Sequence, residues 1–267
     1  MKNKYLVFSD LDGTLLNHKD YSFEPAKEAL ALLKSNSIPL ILSTSKTFSE
    51  VIELQKEIGI REPFIVENGA GIFVPSECVL AKSLTYKDDW IKVSHAHSYI
   101  ELRLFFQNMK RFFPIKGFGD MSVDEVKALT GLDEQKSINA MKRDFTEPFI
   151  IADESLIDSL KAKAKLEGLD IVKGGRFYHL ISLHQDKASA MLNLTHMYDE
   201  YHNIKHTMIA LGDSANDYTM LLQADTGVLV PLHDGSFSPL GDTKVKKAQY
   251  PGPKGWNGAI KEILNVS

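Results

Sequence analysis

The sequence predicts an α/β fold, a doubly wound parallel sheet interrupted by an inserted α+β segment. Three observations predict it. Short continuous apolar runs alternate with amphipathic helical stretches in residues 1–82, and the same alternation returns in residues 184–267. Between them, residues 83–183 mix amphipathic helices with strands that lack the buried, parallel-sheet pattern. The two flanks therefore read as one core domain, and the middle as a smaller domain set into it.

Tyr5-Leu6-Val7-Phe8 ends abruptly at charged residues, which suits a strand buried on both faces. Glu24 to Lys34 places Ala26, Ala29, Leu30 and Leu33 on one helical side, and Ile38 to Leu42 is the second strand. A helix from Thr47 to Ile58 ends at Gly59, before a third strand, Phe64-Ile65-Val66. In the insert, Leu102, Phe105, Phe106, Met109 and Phe113 form a helical stripe explained by packing. Ser122 and Glu125 make a capping box for a helix ended by Gly131. Asp153 caps a further helix stopping near Gly168, and Leu169 to Leu183 reads as a hairpin turning at Gly174-Gly175. The core resumes with a helix from Lys187 to His202, the strand Met208 to Leu211, a helix from Asn216 to Gln223 and the strand Gly227 to Val230.

With 43% apolar residues in 267, the chain can bury a real interior. A formal charge of -4, with Lys and Arg scattered among acids, offers no basic field, so nucleic acid is not an expected partner. No window is long and apolar enough for a membrane span, and four apolar residues before Asp10 are too few for a signal peptide. The single cysteine, Cys78, fits a reducing compartment, which makes the cytoplasm the expected location.

Asp10 and Asp12 follow the first strand directly, at the end where open α/β sheets place their sites, and Gly13 lets the backbone turn away. Two acids one residue apart can divide a covalent mechanism between attack and proton transfer. Asp213 and Asp217, in Gly212-Asp213-Ser214-Ala215-Asn216-Asp217, sit after another buried strand. Four converging carboxylates call for a hard cation, and Mg²⁺ suits oxygen ligands of this kind; Ser214 or Asn216 can at the same time cap the following helix. Ser43-Thr44-Ser45-Lys46 follows the second strand, where a hydroxyl could donate to a phosphate oxygen, and Lys187 opens the helix leading back into the core. His95 and His97 lack a third ligand, and His233-Asp234 reads as a polar loop.

These residues resemble the four signature motifs of the haloacid dehalogenase superfamily: D-x-D-G-T, a strand-end Ser or Thr, a Lys, and G-D-x-x-x-D, in that order. The resemblance implies a Rossmann-like core and a phosphatase in which Asp10 forms an aspartyl-phosphate and Asp12 serves as general acid, then base. It implies that Thr44 and Lys187 bind phosphate, with Ser43 or Ser45 as alternatives to Thr44. It also implies that Asp10, the backbone carbonyl of Asp12 and Asp213 hold Mg²⁺, assisted by Asp217. Asp12 and Thr44 are a helix and a strand apart, whereas Thr44 to Lys187 leaves room for a domain. The insertion thus resembles a C2-type cap, with Asn68-Gly69 near its start, and the spacing argues against a mutase.

Further stretches resemble the mannosyl-3-phosphoglycerate phosphatases: Ser45-Lys46-Thr47, Arg143 to Pro148, Gly174 to His179, and Pro251 to Trp256. That resemblance implies hydrolysis of mannosyl-3-phosphoglycerate to mannosylglycerate and phosphate. A substrate with phosphate and carboxylate wants cations such as Lys46, Arg143 and Arg176, and His179 or Glu147 could meet sugar hydroxyls. Asn68, Ser214 and Asn216 complete the candidate substrate contacts. Alternatively, Arg176 and His179 decorate a hairpin, Arg143 and Glu147 form a helical i,i+4 pair, and Pro-Gly-Pro only reverses the chain. Specificity is expected in the insert and in the Pro251–Trp256 loop. The alternative functions are a capped phosphatase for glucosyl-3-phosphoglycerate, a hexose phosphate or a nucleotide, and a non-catalytic phosphoester-binding regulator.

Overall fold

A computed structural model of the chain describes residues 4–78, 80, 85–87, 89–174, 176–241 and 244–265. The first elements are Tyr5–Ser9 (β1), Lys27–Ser35 (α1), Leu40–Ser43 (β2), Phe48–Ile58 (α2), Phe64–Val66 (β3), Gly71–Pro75 (β4), Thr85–Lys87 (β5) and Trp90–Val93 (β6). Next come Tyr99–Met109 (α3), Ile115–Gly117 (β7), Val123–Thr130 (α4), Glu134–Met141 (α5), Glu147–Ile151 (β8), Ile157–Leu166 (α6), Leu169–Lys173 (β9) and Tyr178–Ser182 (β10). Lys187–His202 (α7), Thr207–Gly212 (β11), Tyr218–Gln223 (α8), Thr226–Leu229 (β12), Lys246–Lys247 (β13) and Gly252–Ile263 (α9) complete the chain.

Two units result. The first holds the residues up to Thr44, Arg61–Val93 and those from Asp186 onward. Its sheet runs β13-β12-β11-β1-β2-β3-β4-β6-β5, parallel from β13 to β3 and antiparallel beyond. The α/β core is thus a mixed sheet. Leu6 and Phe8 of β1 pack with Met191 and Leu194 of α7, all at 0% exposure. Each such side chain contributes roughly 1.5–3 kcal/mol, enough to seat α7, and with it Lys187, against the central strands.

Residue 83, the expected start of the insert, lies outside the described residues; β5 and β6, which follow it in sequence, extend this sheet, and the second unit resumes at Ser94. Short edge strands bearing polar residues do not show the buried run that marks β1.

The second unit comprises Ser45–Ile60 and Ser94–Gln185. Its antiparallel sheet, β7-β8-β10-β9, packs Phe149, Ile171 and Leu180 against Leu102 and Phe106 of α3 and Leu160 of α6. Helix α2 belongs here. Its cap, Thr47, accepts from the Glu50 amide at 3.3 Å and donates its hydroxyl to the Asn139 carbonyl at 2.9 Å, while Gly59 ends it at φ +77°. Among the described residues no helix is long and apolar enough to cross a membrane.

Candidate active site

The parallel strands of the first unit end in the loops that carry the candidate residues. Asp10 leaves β1 with its N–H on the Leu211 carbonyl at 2.9 Å, which fixes the start of its loop to the neighbouring strand β11. Gly13 turns the loop at φ +80°, where a Cβ would collide with Asp213 Oδ2. Only glycine therefore lets the Asp213 carboxylate lie against this loop. Asp217 is reached through a turn at residues 215–217, and its Oδ2 accepts the N–H groups of Asp213 and Ser214, each at 3.1 Å.

Carboxylate oxygens of Asp10, Asp213 and Asp217 come within 4.8 Å of one another, and all three residues are buried. Among the described residues this is the one group of three arranged to hold a metal ion, and His95 and His97 form none. Lys187 is fully buried and donates from Nζ to Asp10 Oδ1 at 2.6 Å and to Asp217 Oδ1 at 2.7 Å. Burial opposes its charge, but Asp10 and Asp217 outweigh burial and hold the ammonium above the ordinary lysine value. Burial, helped by the Asp217 charge, raises Asp10 well above the usual carboxylate range in spite of Lys187. The same two causes push Asp213 up to about 7. Three buried carboxylates thus face one ammonium, and a divalent cation with oxygen preference fits the remaining negative charge. Asp12 is not one of this trio, and it is half-buried.

Thr44 stands one residue past β2, almost fully buried, and its carbonyl accepts the Asn68 amide at 2.9 Å. Ser43 is buried within the strand and Ser45 lies just beyond, half-buried. Asn68, at φ +59°, accepts at Oδ1 from Asn216 Nδ2 at 3.2 Å, and Ser214 Oγ donates to Asn216 Oδ1 at 2.7 Å. Asn68, Ser214 and Asn216 are therefore joined in one polar chain. Gly69 is pressed against the start of α7, where a Cβ would collide with the Asp186 carbonyl. Its glycine character thus serves the placing of Lys187.

The other candidates belong to the second unit. Arg143 follows α5 and donates Nη1 to the Ser45 carbonyl at 2.9 Å and Nε to the Ala140 carbonyl at 2.7 Å, beside half-buried Lys46. Burial and the nearby Arg143 charge pull His179 down to about 3, so its imidazole is neutral, and its Nδ1 is buried with no hydrogen-bond partner among the described residues. Glu147 corrects an expectation. It is fully buried on β8 and bound by Arg103 Nη1 and the Gly119 amide, each at 2.9 Å, instead of pairing with Arg143 along a helix. Burial raises its carboxyl above the ordinary value despite these partners. Arg176 is exposed and donates to the Thr130 carbonyl at 2.8 Å, at the end of α4.

Pro251 to Trp256 is also corrected. It is the first turn of α9, not an open loop: Pro251 caps the helix, and Trp256 is fully buried with its indole N–H on Ser9 Oγ at 2.9 Å. Ser9, along with Tyr99, Arg103 and Asp120 around Glu147, escaped the sequence reading, which placed Trp256 in a specificity loop and not against Ser9.

Residues 7–231 match the family described as haloacid dehalogenase-like hydrolase. Two curated relatives are each named glucosyl-3-phosphoglycerate/mannosyl-3-phosphoglycerate phosphatase. The one from Persephonella marina is 44% identical over 264 residues, covering 97% of this chain and 97% of the relative. The one from Methanococcoides burtonii is 36% identical over 267 residues, covering 98% of this chain and 97% of the relative. Among solved structures, a Thermoplasma acidophilum protein is similar in fold at TM-score 0.68 and 17% identity, over 98% of this chain and 99% of that one. The sucrose-phosphatase of Synechocystis, solved with sucrose and phosphate, is similar at TM-score 0.62 and 16% identity, over 98% of each chain.

Proposed function

The chain belongs to the haloacid dehalogenase-like hydrolase family, and from that premise we propose that it is a Mg²⁺-dependent phosphomonoesterase converting mannosyl-3-phosphoglycerate to mannosylglycerate and phosphate. The observation that carries the chemistry is the buried trio Asp10, Asp213 and Asp217 around Lys187.

In this reading Asp10 attacks phosphorus, a P–O bond forms to its carboxylate, and the bond to the leaving oxygen breaks. Asp12 gives that oxygen a proton, then takes one from the water that hydrolyses the aspartyl-phosphate. Lys187, fixed by two carboxylates, and Thr44, or Ser43 or Ser45 beside it, orient the phosphate. The ion would be held by Asp10, Asp213 and the Asp12 backbone carbonyl, with Asp217 assisting. When bound, Mg²⁺ supplies positive charge that offsets the phosphate and the buried carboxylates.

Substrate selection is assigned to the second unit, acting as a cap, with Lys46, Arg143 and His179 as its recognition residues and Asn68, Ser214 and Asn216 as polar contacts in the first. Glu147 and Arg176 are assigned support roles in that unit, given their partners. The relatives are named for both the glucosyl and the mannosyl compound, which supports acceptance of either sugar. Free, half-buried Cys78 is compatible with the proposed cytoplasmic location.

A substrate panel with Mg²⁺ tests the reading. Mannosyl- and glucosyl-3-phosphoglycerate should give kcat/KM at least tenfold above hexose phosphates and nucleotides. Equal turnover of a hexose phosphate would favour a general capped phosphatase instead.

A further inference from the structure

Outside the carboxylate cluster, the most consequential buried polar contact joins the two ends of the chain. Trp256 and Ser9 are both fully buried. The indole N–H donates to Ser9 Oγ at 2.9 Å, and Ser9 Oγ donates to the Asp10 carbonyl at 2.7 Å. A serine hydroxyl has one proton and two lone pairs. With the indole N–H on one lone pair, the proton is directed to Asp10. Asp10 is then held on both sides, by Leu211 at its N–H and by Ser9 at its carbonyl.

The helix carrying Trp256 is itself anchored. Gly255 lies so close to the Tyr250 carbonyl that a Cβ would collide with it. Asn257 Oδ1 accepts the Ala29 amide at 2.8 Å, and Lys261 pairs with Glu28 at 2.9 Å. Gly252, at φ +58°, brings the first turn alongside Gly13 and Asn17 of the loop that follows Asp10. A rigid helix thus presents a fixed donor behind the attacking residue.

We propose that Trp256 is a positioning residue: its N–H sets the Ser9 hydroxyl, which fixes the Asp10 peptide and so aims the Asp10 carboxylate. This rests on Asp10 being the nucleophile. A purely structural tryptophan would need its ring but not its N–H. Positioning needs the N–H.

The experiment uses the full chain with Mg²⁺ and 4-nitrophenyl phosphate, well below the unfolding temperature. Trp256→Phe and Ser9→Ala should each lower kcat roughly tenfold with KM within about twofold, since small misplacements of a reacting group weigh on the chemical step. The double variant should be no worse than the poorer single one, because both changes break one relay. Wild-type kcat in Trp256→Phe, or losses that multiply in the double variant, would overturn the inference. Should Trp256→Phe fail to fold, Ser9→Ala carries the same kcat expectation, and wild-type kcat there overturns it equally. Asp10→Asn separates the two levels. Turnover in Asp10→Asn would remove the nucleophile and this inference together, whereas a dead Asp10→Asn beside a wild-type Trp256→Phe would remove this inference alone.

Discussion

Replacing Lys187 by Met keeps most of the side-chain length and removes the only ammonium that touches Asp10 and Asp217 among the described residues. The contacts are 2.6 and 2.7 Å, and at an effective dielectric constant of about 20 each corresponds to roughly 6 kcal/mol of Coulomb attraction. Desolvation of three buried charges offsets most of that gain. What remains on removing one partner from a buried pair is typically about 3–5 kcal/mol, because the abandoned carboxylates stay buried. Urea unfolding at pH 8 in chelator should therefore show Lys187→Met less stable by about 3–5 kcal/mol. Millimolar Mg²⁺ should recover part of the loss, since a cation among the carboxylates can replace the missing charge. Activity should fall by roughly two orders of magnitude or more, as a fixed charge at the phosphate is lost. Stability within about 1 kcal/mol of wild type in chelator would refute the electrostatic reasoning.

Three further perturbations probe separate parts of the structure. Gly13→Ala forces a Cβ into Asp213 at φ +80°, so Mg²⁺ affinity, read from activity against metal concentration, should fall at least about tenfold, with a stability loss of about 1–2 kcal/mol. Burial pushes Glu62 up to about 7 from its ordinary 4.5. As pH rises between those values the unfolded chain loses its proton first, so this group lowers stability over that window and contributes no difference below it. Glu62→Gln should therefore match wild type at pH 4 and exceed it by about 1–3 kcal/mol at pH 8 in urea unfolding, discounted for partial exposure; parallel pH profiles would contradict this. Arg103→Met strands Glu147, which is fully buried, and should destabilise the protein by about 3–5 kcal/mol in the same assay. A loss under 1 kcal/mol would mean that Glu147 is held by its other partners.

The loops carrying Asp10 and Asp213 are legible because strand ends leave strong marks. The apolar run before Asp10 and the one before Asp213 are bounded by charged residues and glycine, and in the structure both strands pair and end side by side. Capping chemistry was equally readable: Thr47 with Glu50, and Ser122 with Glu125, start helices where their side chains satisfy free amides. Long-range partnerships were not readable. Arg103 finds Glu147 across 44 residues and Trp256 finds Ser9 across 247, with no local spacing to betray either. Arg143 and Glu147 stand four apart and suggested a helical pair, but α5 ends before Arg143 and Glu147 begins a strand. Pro and Gly at residues 251–255 read as a turn. Yet proline suits the first turn of a helix, and Gly255 is required by close approach to the Tyr250 carbonyl. The division of the chain was blurred by edge strands too short to show a pattern, and by residues 45–60, whose helix joins the second unit despite lying between core strands in sequence.

The nucleophile is tested most directly by trapping. Asp12→Asn removes the group assigned to activate water, and with 4-nitrophenyl phosphate, whose phenolate leaves without a proton from Asp12, the second step should slow more than the first, so a covalent intermediate should accumulate. Acid quench of this variant during turnover of 4-nitrophenyl phosphate, followed by peptide mapping, should place a phosphoryl group on Asp10. The Asp10→Asn protein should carry none and release no phosphate. A phosphoryl group on another residue, or continued phosphate release by Asp10→Asn, would contradict the account.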